Sequence, residues 1–489
     1  MLKQLHPSWE EVIFPHHIQP VPLDEAFQPA DIGLLDQLQA SHGRFIFVAP
    51  QWSRLNPEII GLVQTALASR PDVGIFYGDD AVVDEAGSIL RVCCKPSFNM
   101  ALLLAKDYIA FPLLIRTSVF ETVRLATRRD GAAWFEFILA AAELGIAIER
   151  IPETLIATAS PRAEAGMDER RAIIEKLATG SPFTVAAGRV QNTLQIRRRF
   201  EPYPDVTIVV PTDQRELPGN DPNRQRAGRP HIINFLDSLK ESSWPMSRIR
   251  VLVGDNHEDD AIYRGRKDPF HLERVVVPQA PGPFNLAKKI NVLWRQAKTE
   301  LLVLMNDDIV VLAPDWLQAL MTFAMESDVG YVGGRLLYPD GRIQHAGMFG
   351  SIFGVCAHAW YLQDGSDPTY EDWALTHRDV SAATGAMFAT RKSVMKAVRG
   401  FDERFALDFN DVDCCLRMRL LGYRVIYAPD AEMIHYEKAT RQDAVAPGQQ
   451  VEMYLRRWRD FLEDDPMFSP QLRSDTSDVA PHPLATNWL

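Results

Sequence analysis

The chain has 489 residues, 46% apolar and 24% charged, with a formal net charge of −12. That length calls for two or more cores, the composition is that of a folded globular protein, and the acidic balance excludes non-specific binding to nucleic acid or attraction to anionic lipid. The five cysteines include two adjacent pairs and no CxxC spacing, so neither a disulfide framework nor a zinc site is expected and a reducing, cytoplasmic setting fits. The N-terminal stretch is polar and proline-interrupted, unlike a signal peptide, and no run reaches ~18 uncharged apolar residues.

In chain order, the first strand expected is Arg44–Val48. From there a long-period repeat begins. DVGIFYG at 72–78 echoes DVGYVGG at 328–334, Arg116–Phe120 matches Arg391–Met395, and the Leu144-Gly145/Ile151-Pro152 pair matches Leu421-Gly422/Ala428-Pro429. Such a period points to a duplicated domain rather than a solenoid. The first copy is placed at 1–185, and residues 186–205, basic and then proline-punctuated, read as a linker. The Asp79-Asp80 pair reads as a surface turn.

The second copy, 206–440, alternates strands and helices. Val206–Val210 is an apolar strand ending at Pro211-Thr212, a helix covers Ile232–Glu241, and Arg250–Val253 is a strand ending at Asp255-Asn256. A helix over Asn285–Lys298 then feeds the strand Leu301–Met305. This alternation predicts an α/β fold with a mostly parallel sheet and flanking helices. Ligands of such sheets bind beyond the carboxyl ends of the strands, where three polar clusters now converge. One of them, Asn306-Asp307-Asp308, sits between two apolar runs. Buried carboxylates need a partner; either a divalent cation supplies it or the segment is a solvated turn.

Further on, Asn410, Asp411 and Asp413 open a helix, as caps or with Asp411 as a general base. His435 ends an apolar run, where an imidazole reaches a metal or merely packs. The loop Phe349–Arg378 carries Trp360, Tyr370 and Trp373, which either stack on sugar rings or pack a lid. Residues 441–489 read as an amphipathic helix, Gln449–Leu462, and a polar tail. The helix packs on its own domain or touches a membrane surface.

The ordered set VVPT at 209–212, GDN at 254–256, GPFNLA at 282–287, LMNDDI at 304–309, LLYPDGRIQHAG at 336–347, TGAMF at 384–388 and GFDE…FNDVD…LR…GYRV at 400–425 resembles family 2 glycosyltransferases of the GT-A fold. The resemblance implies an inverting, metal-dependent enzyme that moves a sugar from a UDP- or dTDP-sugar to a hydroxyl of a glycan or lipid-linked glycan in cell-surface polysaccharide biosynthesis. It puts Pro211 and Thr212 at the donor base and gives Asp255 the uracil or thymine ring. Asn306 and Asp307 face ribose and diphosphate, Asp308 and His435 hold Mn²⁺ or Mg²⁺, and Asp411 is the base. Residues 1–185 resemble a truncated copy that lacks these groups, hence a degenerate, non-catalytic GT-A-like domain. The alternatives are a silent glycan-binding or scaffold protein of a glycan-assembly complex and a nucleotidyltransferase.

Overall fold

The computed structural model describes residues 18–21 (backbone only), 45–50, 53–84, 86–123, 132–159, 166–217, 227–278, 283–436 and 448–488. The N-terminal segment before residue 18, Arg44 and the Gln51-Trp52 pair lie outside the described residues. Strands β1 (Ile18–Val21), β2 (Phe45–Pro50), β3 (Arg54–Leu55), β4 (Ile75–Val83), β5 (Ile89–Cys93), β6 (Leu113–Arg116) and β7 (Ile148–Thr158) form a seven-stranded sheet in the order β1-β2-β6-β4-β7-β3, with β5 on β4. A hairpin follows, β8 (Phe183–Ala187) with β9 (Leu194–Arg198). Part of the segment read as a linker is therefore structured, with Leu194, Ile196 and Phe200 buried.

The second sheet is built from β10 (Val206–Thr212), β11 (Ile249–Asp255), β12 (His271–Val276), β13 (Leu301–Met305), β14 (Ile309–Val311), β15 (Val329–Leu337), β16 (Ile343–His345), β19 (Arg378–Asp379), β20 (Met387–Arg391) and β21 (Arg424–His435); β17 (Met348–Phe349) and β18 (Ala357–His358) make a small hairpin beside it. The main order is β12-β11-β10-β13-β20-β15-β21-β14. The first four strands are parallel, with β10, β11 and β13 apolar and buried as strands covered on both faces are and β12 partly exposed at the edge, while β20 and β14 run antiparallel to their neighbours. Helices Leu286–Gln296 and His231–Ser238 cover the sheet. The first is capped by the Asn285 side chain, which accepts from the Lys288 amide. It lies so close to β11 that a Cβ on Gly254 would fall 2.3 Å from Leu293 Cδ1.

The two sheets share a pattern. In the first, β2, β6, β4 and β7 follow one another antiparallel, antiparallel, parallel, with β3 antiparallel on β7. In the second, β13, β20, β15, β21 and β14 do the same. Among the described residues the first sheet has no counterpart of the block β10–β12, and the short antiparallel β1 lies beside β2. One apolar core runs through both halves, from Phe47 and Leu114 to Leu302 and Phe388.

Two sequence readings need correction. Asp79 and Asp80 are not at a surface turn but inside β4, almost without exposure. Lys95 satisfies them, its ammonium 2.8 Å from Asp80 and its amide donating to Asp79. Reading the pair as a turn, from its counterpart in the second copy, missed the buried lysine that neutralises the charge. The polar tail is also packed: beyond the helix Gly448–Glu463, Met467, Phe468, Leu472 and Val479 are buried.

Candidate active site

The ends of β10, β11 and β13 open on a cavity of about 590 Å³. Pro211, Thr212, Asn306, Asp307, Asp308, Asp411 and His435 all line it. Thr212 Oγ1 donates to Asp307 at 2.5 Å, and Lys289 Nζ donates to the Thr212 carbonyl at 2.7 Å and to Asn256 at 2.6 Å. These bonds lace the three strand ends together. Burial pushes the Lys289 ammonium down to about 8.

Antiparallel pairing of Ile309 with His435 brings strand β21 to the aspartates, and the Tyr436 amide donates to the Asp308 carbonyl. His435 Nε2 then lies 3.2 Å from Asp308 Oδ1, both side chains 4% exposed. Burial raises both aspartates. Asp308's charge adds to that for Asp307 and holds it above the usual carboxylate range. For Asp308 the imidazoles of His435 and His231 outweigh burial and keep it below. A carboxylate oxygen and an imidazole nitrogen on one cavity wall are donor types that suit Mn²⁺, and the oxygen suits Mg²⁺. Among the described residues no set of three or more His, Cys, Asp or Glu forms a metal cage.

Across the cavity, the helix Asn410–Leu420 starts at Phe409, whose φ is 62°. Asp411 accepts from the Gly385 and Val412 amides, both at 2.8 Å, which fixes its carboxylate at the helix N-terminus. Asp413 faces away, fully buried, and accepts from Arg417, Arg457 and Trp458. Phe409 stacks on Tyr454 of the C-terminal helix, centroids 4.4 Å apart.

Not every expected residue reaches the cavity. Asp255 does not line it; its carboxylate is fully buried and accepts from Gln214, Tyr263, Arg274 and the His257 amide. Trp360 and Trp373 are buried, the latter beneath the Arg378 guanidinium at 3.9 Å, so they pack the fold and offer no face to a sugar. Tyr370 binds the N-terminal half instead.

Lys289, His231, Gln344 and His358 also line the cavity and were not singled out from the sequence. Lys289 had a readable signal: it falls on the apolar stripe Leu286, Ile290, Leu293, where a lysine is out of place unless it serves something. His358 Nδ1 lies 3.1 Å from His345 Nδ1, a pairing across a loop that no local pattern announces.

A sequence model of the family described as "Glycosyltransferase like family 2" matches residues 204–458, the span of the whole second sheet. The protein y4gI of Sinorhizobium fredii, itself uncharacterized, is 29% identical over 474 residues, covering 90% of this chain and 50% of its own. The O-antigen biosynthesis protein RfbC of Myxococcus xanthus is 28% identical over 461 residues, 90% of this chain and 34% of its own. The N-acetylglucosaminyl-diphospho-decaprenol L-rhamnosyltransferase of Mycobacterium tuberculosis is 25% identical over 232 residues, 42% of this chain and 72% of its own. The chain thus spans about half the length of the first relative and about a third of the second. Among solved structures, the mannosyltransferase PcManGT of Pyrobaculum calidifontis is 18% identical with a TM-score of 0.33, over 55% of this chain and 67% of its own.

Proposed function

This chain belongs to glycosyltransferase-like family 2, and on that premise we propose that its second sheet, of GT-A type, moves a sugar from a UDP- or dTDP-sugar to a hydroxyl of a glycan or lipid-linked glycan, with inversion. The observation that carries the reading is the convergence of Asp307, Asp308, His435 and Asp411 on one cavity. The relatives named for O-antigen biosynthesis and for rhamnosyl transfer to a lipid-linked sugar support cell-surface polysaccharide assembly as the setting.

In this reading Pro211 and Thr212 meet the donor base, and Asp255 serves by fixing Gln214 and Arg274 beside it. Asn306 and Asp307 face the ribose and diphosphate, with Lys289 offering a cation to the same end. Asp308 and His435 would hold Mn²⁺ or Mg²⁺, which when bound offsets the charge of a leaving diphosphate. Asp411, kept in place by two amides, takes the proton of the acceptor hydroxyl. The first sheet, which among the described residues has no β10–β12 block, serves as a non-catalytic, degenerate copy. Among the described residues no helix is long and apolar enough to cross a membrane; the working place proposed is the cytoplasm, with the C-terminal helix committed to its own domain.

The test is thermal stabilisation across a panel of UDP- and dTDP-sugars, with and without Mn²⁺, repeated on Asp308→Ala. A ligand at a hundredfold its Kd adds about 2.7 kcal/mol, and that gain should depend on Mn²⁺ and vanish in the variant. A folded protein that no nucleotide stabilises would refute the donor site and favour a silent scaffold.

A further inference from the structure

Residues 348–378 leave the cavity at Met348, Val355, Cys356 and His358, which line it, and run outward to the N-terminal half. Their far end is held there residue by residue. The Tyr370 hydroxyl accepts from the Cys94 amide at 2.7 Å and donates to the Val92 carbonyl at 2.9 Å. The Glu371 carboxylate, 6% exposed, meets Arg91 at 2.6 Å and Lys106 at 3.3 Å. Asp372 meets the same Lys106 ammonium at 2.8 Å. Just beyond, the Asn99 side chain bonds both the amide and the carbonyl of Asp379.

The backbone at this anchor is in a conformation it would not keep alone. Thr369, Glu371 and Asp372 all have left-handed φ, at 69°, 53° and 62°, which strains any residue with a Cβ and persists only where the surroundings impose it. The surroundings are the buried Lys106 and the end of β5, both supplied by the N-terminal half. A carboxylate pair on a buried ammonium is costly to separate, so the anchor is firm while Lys106 is present.

We propose that the N-terminal half acts as an internal clamp on the cavity wall opposite the nucleotide-binding strand ends, with Lys106 and Tyr370 as positioning residues. The clamp gives the first sheet a task in the reaction, and it takes the cavity to be the transfer site proposed above. Loosening it slackens the wall at Val355–His358, which the C-terminal segment still ties at Phe353 and Trp360, and leaves the strand ends of β10, β11 and β13 in place.

Cys356 is the reporter, being 4% exposed on that wall. The full-length chain and its Lys106→Met variant are alkylated with iodoacetamide and followed peptide by peptide, with amide exchange measured over 350–378. The variant should label Cys356 and exchange that segment at least tenfold faster, while Cys414 and Cys415 keep their rates and stabilisation by UDP with Mn²⁺ is retained. Tyr370→Phe, which keeps the ring, should move both in the same direction by a smaller factor. The swap Lys106→Glu with Asp372→Lys should restore slow labelling that Lys106→Glu alone loses. Unchanged rates in Lys106→Met, or an increase shared equally by Cys414 and Cys415, would overturn the clamp. A wild-type chain that UDP fails to stabilise would count against the donor reading alone, because the Cys356 result is independent of nucleotide.

Discussion

Lys289 ties the fold to pH in a way that can be worked through. Its side chain is 6% exposed and its ammonium is spent on a carbonyl and an amide oxygen. Burial lowers it from 10.5 to about 8, against the pull of Asp307, Asp213 and Asp255. Below pH 8 both folded and unfolded chains carry the proton, and the full cost of burying the charge is present. Between about pH 8 and 10.5 the unfolded chain still binds a proton that the folded chain has released, so this group's contribution to stability rises with pH. At about 1.4 kcal/mol for each pH unit of the gap, the relief approaches about 3 kcal/mol. Lys289→Met removes the titration. The stability of wild type minus that of the variant, from urea denaturation, should therefore climb by about that amount across the window. A flat or falling difference would refute the argument, since it would mean the ammonium is solvated or held charged by the three aspartates. A diphosphate at the neighbouring carboxylates would restore the charge, so UDP binding near pH 9 should take up about one proton, readable by calorimetry in buffers of differing ionisation enthalpy.

Asp411→Asn should slow nucleoside diphosphate release with acceptor by about 10²–10⁴ and leave the stabilisation by UDP and Mn²⁺ unchanged; an unaltered rate would remove Asp411 from the chemistry. Arg457→Met strips one of three donors from the buried Asp413. With Arg417 and Trp458 remaining and Arg457 itself 25% exposed, the loss should be about 2 kcal/mol by chemical denaturation, below the ~3–5 kcal/mol of a fully broken buried pair. Gly400→Ala should cost about 3 kcal/mol or more, because φ is +75° and the new Cβ would fall 2.3 Å from Asn291 Oδ1. That amide cannot yield, being bonded to Phe401, Glu403 and Trp294. At Gly422, φ is +84° with nothing within 4 Å, so alanine there should cost only about 1–2 kcal/mol.

The second half of the fold was legible because its signals are local. Val206–Val210, Leu301–Met305 and the helix after Asn285 each follow from an apolar run or a cap; Leu301–Met305 has the predicted bounds, while the strands at Val206 and Arg250 run on to Thr212 and Asp255. The meeting of Asp308 with His435 was readable only through the family resemblance, since 127 residues of chain separate them and β21 pairing brings them together. Where reading failed, a partner distant in sequence had changed what a residue does. Asp79 is inside because of Lys95, Asp255 is withdrawn because Gln214, Tyr263 and Arg274 enclose it, and Trp373 packs because Arg378 lies over it. Periodicity carries no information about such pairings.

The segment after residue 463 has a bearing on how the protein is made. Its Pro466 carbonyl accepts from Ser97, Gln471 reaches Pro152 and Glu153, and Ser474 and Ser477 bind Phe353 and Trp360. Every one of those partners is synthesised earlier. Both halves can therefore meet early through Tyr370, Glu371 and Asp379, but these later bonds across the seam form only when the last stretch is laid down. A fragment cut at residue 458, where the family match stops, would carry every catalytic group proposed here and still expose Phe349 and the Asp79 end of β4. Such a fragment should aggregate during expression rather than yield a smaller working enzyme.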